Sequence, residues 1–94
     1  MSSLLIIPSP HVLFRELDGE SVLLDLETGQ YYGLNSVGTR FWQLLPPQNH
    51  LSAIVLALLA EYEVDEATLA RDLRELAETL AAADLVTLLL EEAS

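Results

Sequence analysis

His11 and His50 are the two histidines of the chain, and imidazole is the side chain best suited to moving a proton near neutral pH. Neither keeps the company such chemistry needs. No Ser or Cys nucleophile motif surrounds His11, which precedes an apolar run and reads as an ordinary surface histidine. His50 closes the polar stretch Pro46-Pro47-Gln48-Asn49-His50 and reads as a loop residue. The chain has no Cys, which excludes a disulfide framework and a thiolate metal site, and two distant histidines leave no zinc set. Asp18 and Glu20 flank an Asp-Gly turn, where acids are usual, whereas a paired-carboxylate hydrolase needs two acids in a cleft. Gly29, Gly33 and Gly38 do not spell a phosphate loop. The expectation is a protein without cofactor or metal that is not an enzyme.

The composition narrows the class further. Ninety-four residues, 51% hydrophobic and 20% charged, suffice for one small domain with a real core, here taken as residues 1–94 with the core at about 10–88. Four basic residues against fifteen acidic ones give a net charge of −11. Such a surface is repelled by phosphate backbones and anionic membranes, so neither nucleic acid nor membrane is an expected partner. Residues 1–10 carry no basic segment, and the apolar run Leu4-Leu5-Ile6-Ile7 is too short for a signal peptide. A cytoplasmic location fits the absence of Cys.

The pattern changes character near Asn35. Before it, strands are expected over 11–17, 21–26 and 31–34, joined by the Asp18-Gly19 turn and by a second turn at Glu27-Thr28-Gly29-Gln30. After it, the period is helical. A first helix capped by Asn35 or Ser36 must stop before Pro46; a second is capped by Ser52; a third starts at Asp65. The third carries Leu69, Leu73, Leu76 and Leu80 as one stripe, flanked by Ala70, Ala77 and Ala81, and ends at Asp84, where a left-handed residue is wanted. Residues 85–90 form a last apolar segment that is a short strand or a helical extension, and the chain ends otherwise look loose. The fold class is α+β: a three-stranded antiparallel meander followed by a three-helix bundle, winged-helix-like in outline.

A winged-helix DNA reader needs basic and amide residues on its third helix. Residues 65–84 hold six acids against Arg71 and Arg74, so this chain does not read DNA.

The segment Tyr31-Tyr32-Gly33-Leu34-Asn35 stands out. Adjacent aromatics on a strand place one ring on each face. The outer edge of that third strand offers unpaired N–H and C=O groups that can accept an extended peptide as a fourth strand. Gly33 permits close approach of another backbone. A helix packed beside such an edge makes a groove whose floor is part of the leucine stripe.

From Asp18-Gly19-Glu20 through Leu23-Leu24-Asp25, Tyr31-Tyr32-Gly33-Leu34-Asn35, Val37-Gly38 and Phe41-Trp42-Gln43-Leu44-Leu45, the chain resembles the PqqD-like family. The likeness continues through Ser52-Ala53-Ile54-Val55, Glu61-Tyr62 and Asp72-Leu73 to Ala83-Asp84-Leu85-Val86, with Asp84 standing where the family usually has Gly. These domains are recognition elements for ribosomally made, modified peptides. The resemblance implies a winged-helix-like fold whose members take the leader of a precursor peptide as an added strand, between the third strand and the third helix. The wording looks closest to stand-alone members of lasso-peptide pathways, which work with a separate leader protease and a macrocyclase. A peptide chaperone for a radical-enzyme pathway and a winged-helix regulator are the alternatives.

On this reading Tyr31, Tyr32, Gly33 and Leu34 provide the edge backbone. With Val22, Leu24, Tyr32 and Leu34 placed toward the helices, Tyr32 and Leu34 wall the pockets and Leu69, Leu73 and Leu76 oppose them. Asp72, on the flank of the stripe, accepts a hydrogen bond or ion pair from the leader. The expected partners are the precursor leader, the leader protease and the cyclase, and a monomer is expected.

Overall fold

The computed structural model describes residues 2–45 and 49–92. In chain order the elements are β1 (Ser2–Pro8), β2 (Val12–Leu17), β3 (Glu20–Asp25), β4 (Tyr31–Leu34), α1 (Ser36–Leu44), α2 (Leu51–Leu59), α3 (Glu66–Ala82) and β5 (Val86–Glu92). Strands β2, β3 and β4 form the expected antiparallel meander, and β1 pairs with β5 in a second, two-stranded sheet. Helices and both sheets close on one core whose fully buried members include Ile6, Leu23, Phe41, Leu45, Ile54, Leu58 and Leu80.

Local chemistry explains the turns. Asp18 and Gly19 both adopt positive φ (56° and 84°), the conformation a two-residue hairpin between β2 and β3 requires. Asp25 closes the next turn: its Oδ1 accepts from the N–H of Glu27 (2.9 Å) and of Thr28 (3.2 Å). Asn35 caps α1, its Oδ1 accepting from the Gly38 N–H at 2.9 Å, and a Cβ on Gly38 would crowd that oxygen and the Leu34 side chain at 3.3 Å. Asp65 caps α3 by accepting from the Thr68 N–H at 3.0 Å. Asp84 ends α3 in the left-handed region (φ 63°), and the Leu85 N–H returns to the Leu80 carbonyl at 2.9 Å.

Five expectations need correction or completion. The segments expected to be loose pair with each other over their described residues, as β1 and β5, and the last apolar segment is strand from Val86 onward. Ile6 is wholly buried, its N–H donates to the Asn49 carbonyl at 2.8 Å, and the Asn49 side-chain amide donates back to the Ile6 carbonyl at 2.8 Å. A pairing between opposite ends of the chain leaves no local trace in the sequence. The second helix starts at Leu51 with His50 as its cap residue, two places before Ser52, and a bridge between Leu5 and His50 holds the incoming chain against β1.

The faces of β3 are also reversed. Register sets Leu23 against Tyr32 and Ser21 against Leu34, so Ser21, Leu23 and Asp25 share the helix-facing side with Tyr32 and Leu34. Val22 and Leu24 stand on the outer side with Leu13, Arg15, Tyr31 and Gly33. Counting apolar residues favours the opposite choice. It fails because the two inward polar groups are satisfied: the Ser21 hydroxyl shares a 2.7 Å hydrogen bond with that of Thr39, and Asp25 holds its turn. His11, expected as an ordinary surface residue, is mostly buried, with Nε2 3.7 Å from Asp25 Oδ2 and 3.8 Å from Asp84 Oδ2.

Candidate functional site

The site is built from one strand edge and one helix face. The phase of the β3–β4 ladder is fixed by its neighbours: the Leu26 N–H donates to the His11 carbonyl (2.8 Å) and the Asp25 N–H to the Gln30 carbonyl (2.9 Å). In an antiparallel sheet the backbone groups of successive residues point to opposite neighbours. Leu23 and Ser21 therefore exchange hydrogen bonds with Tyr32 and Leu34, and the N–H and C=O groups of Tyr31 and Gly33 point away from β3. Among the described residues no strand pairs with that edge.

Across from it runs α3. Its spacing places Leu69, Asp72, Leu73 and Leu76 on the side toward the edge, and the groove between them measures about 380 Å³. The sheet side of the groove is Tyr32, Gly33 and Leu34. Leu69 and Leu73 are buried beneath it, while Tyr32 and Leu76 remain half-buried and can still lose water to a guest. Seven of the eight residues singled out from sequence thus meet on one groove. Tyr31 contributes edge backbone, but its ring lies on the outer face, 74% exposed.

Sequence reasoning missed the end of the groove, formed by Asn35, Val37 and Gly38 at the start of α1 and by Val64 and Thr68 at the start of α3. Asn35 and Asp65 were legible as caps, and caps mark where helices begin, so their neighbours could have been placed at that end. Val64 gave no signal beyond being an apolar residue in a short connection.

The chemistry of the groove is that of a binding surface. Asp72 is the one charged residue among those lining it, 59% exposed, with Arg71 Nε at 3.7 Å. Away from the groove, His11, Glu27 and Asp84 bring possible ligand atoms within 4.8 Å of one another, the one such group among the described residues. There burial pushes the Asp25 carboxyl up, but the N–H groups of Glu27 and Thr28 and the facing His11 outweigh it and hold it below its ordinary value. These contacts join the β3–β4 turn to the end of α3.

Two solved structures share this architecture. One is TbiB1 in complex with the TbiA(beta) leader peptide, 44% identical over 85% of this chain and 93% of that chain, with a TM-score of 0.79. The other is a lasso peptide synthetase B1 complexed with the leader peptide, 26% identical over 87% of this chain and 96% of that chain, with a TM-score of 0.77. No curated protein matches the chain. The family described as coenzyme PQQ synthesis protein D (PqqD) matches residues 20–86, a span running from the start of β3 to the start of β5 and containing the whole groove, and the chain belongs to that family.

Proposed function

We propose that this chain is a non-catalytic adaptor that captures the leader region of a ribosomally made precursor as a strand added to β4, and presents it to the leader protease and macrocyclase of a lasso-peptide pathway. The observation that carries the reading is the outward-pointing backbone of Tyr31 and Gly33 facing the leucines of α3 across the groove. The two leader-bound structures at 44% and 26% identity favour the lasso pathway over a radical-enzyme one. The domain is read as a single, monomeric, cytoplasmic unit of winged-helix-like form, with the groove side of α3 given to peptide instead of duplex. No helix among the described residues is long and apolar enough to cross a membrane.

The energetics say where specificity resides. Ordering a free peptide costs about 1–2 kcal/mol per residue in backbone entropy alone. A hydrogen bond returns about 0.5–1.5 kcal/mol net, and on one edge only every second guest residue makes them. Backbone pairing therefore cannot hold the guest, and apolar anchors worth about 1.5–3 kcal/mol each must fill the space over Leu69, Leu73 and Leu76. The edge tolerates many sequences; the groove selects among them.

The test is an N-methyl scan of the fluorescein-labelled TbiA(beta) leader peptide, the leader bound by the 44%-identical protein, read by fluorescence anisotropy. Strand addition requires sensitivity at alternate amides across the bound segment, since only those face β4. Uniform tolerance along the peptide, or uniform sensitivity, overturns it.

A further inference from the structure

A buried polar atom without a hydrogen bond has a specific reason, and a bound ion is one such reason. His11 carries such an atom. Its side chain is 18% exposed, but Nε2 itself is fully enclosed and makes no hydrogen bond. What faces the ring is carboxylate. Asp25 Oδ2 lies 3.7 Å and Asp84 Oδ2 3.8 Å from Nε2, and Glu27 Oε1 stands 4.0 Å from Nδ1. Asp25 is buried and gives its other oxygen, Oδ1, to the turn. All three separations are too long for a hydrogen bond. They are close to the spacing of two ligands on one small ion, since bonds of about 2.0–2.2 Å at a tetrahedral angle put neighbouring donor atoms about 3.4 Å apart.

Sequence spacing gives no hint of this set, because its members come from three separate segments. His11 precedes β2, Asp25 and Glu27 open the connection from β3 to β4, and Asp84 follows α3. His11, Glu27 and Asp84 can each offer one donor atom with all three within 4.8 Å of one another. The Glu27 and Asp84 side chains are 69% and 81% exposed, so they can rotate to close the remaining distance, and water can take a fourth position. Residue 84 is in the left-handed region (φ 63°), where Gly is the low-cost choice; Asp there instead brings a carboxylate onto His11. Three carboxylates crowd one imidazole, and a dication bound among them offsets their repulsion. Imidazole with carboxylates suits Zn²⁺, whereas Mg²⁺ and Ca²⁺ take sets made of oxygen alone.

We propose that His11, Glu27 and Asp84 bind one Zn²⁺, with Asp25 on the enclosed side of the imidazole, and that the ion ties the turn leading into β4 to the end of α3. The site lies outside the leader groove, and its test does not depend on leader binding.

The experiment takes the untagged chain, stripped with EDTA and dialysed, titrates it with ZnCl2 by isothermal titration calorimetry, and records Tm with and without the metal. One ion per chain is expected, and Zn²⁺ at about ten times its Kd should raise Tm by about 5 °C or more. Asp84→Gly is the deciding variant. Glycine keeps the left-handed turn, so its metal-free Tm should equal or exceed that of the wild type, while its Zn²⁺ affinity falls at least about tenfold. Glu27→Gln, at an exposed position, should weaken Zn²⁺ by a similar factor, and it decides if Asp84→Gly does not fold. Mg²⁺ at the same concentration should not reproduce the rise in Tm. The absence of one-site Zn²⁺ binding, wild-type affinity in the folded variants, or an equal Tm rise with Mg²⁺, the signature of ions screening a chain of net charge −11, overturns the site.

Discussion

Ser21 and Thr39 meet inside the protein, their hydroxyl oxygens 2.7 Å apart, and this buried hydrogen bond joins β3 to α1 directly behind Leu34. It lets a polar residue occupy the inner face of the sheet, and it braces the end of β4 where the groove meets α1.

Removing one hydroxyl should cost more than removing both. Ser21→Ala leaves the Thr39 hydroxyl buried with only a 3.5 Å contact to the Leu34 carbonyl, a loss of about 1–3 kcal/mol. Adding Thr39→Val, which nearly preserves shape, should restore much of that stability. Urea unfolding of the two single variants and the double variant measures the coupling, and strict additivity would show that the hydrogen bond is not the source.

Two leucines of α3 should separate folding from binding. Leu73 is 2% exposed, so Leu73→Ala opens a cavity and costs about 2–5 kcal/mol. Leu76 is half-buried at the groove, so Leu76→Ala should keep its Tm within a few degrees yet weaken leader binding about tenfold, the loss expected of one apolar anchor. Unchanged anisotropy titrations for Leu76→Ala would remove it from the site.

The cap of α3 supports the same wall. Asp65 accepts from both the N–H and the hydroxyl of Thr68, at 3.0 and 3.2 Å. Asp65→Ala should lower stability by about 0.5–2 kcal/mol, and Asp65→Asn, which still accepts, by less. Equal losses in chemical denaturation would mean that charge, not the hydrogen bond, matters there.

Asp25 should make stability depend on acid. Its pKa is lower in the folded chain than its ordinary value, so its contribution is present above the unfolded-state pKa and is lost as pH falls through the folded value. Wild-type Tm should therefore fall as pH drops below the ordinary carboxyl value of 3.8, through a component missing from Asp25→Asn, which keeps an oxygen for the turn but carries no charge. Parallel Tm curves for the two proteins would reject this.

Period and punctuation alone determine much of this protein. The Asp18-Gly19 hairpin, the Asn35 and Asp65 caps, the left-handed stop at Asp84 and the leucine stripe of α3 follow from short-range rules, because turn and cap geometry is decided within a few residues. The edge at residues 31–34 and its opposing leucines were legible for the same reason. Tertiary structure alone decided the rest. The β1–β5 sheet depends on a contact between chain segments far apart in sequence, and the burial of Ser21 depends on Thr39, a partner that only folding supplies. Which side of β3 faces the helices is set by register, since a period of two makes both choices equally regular, and that choice leaves Val22 and Gly33 on the open face.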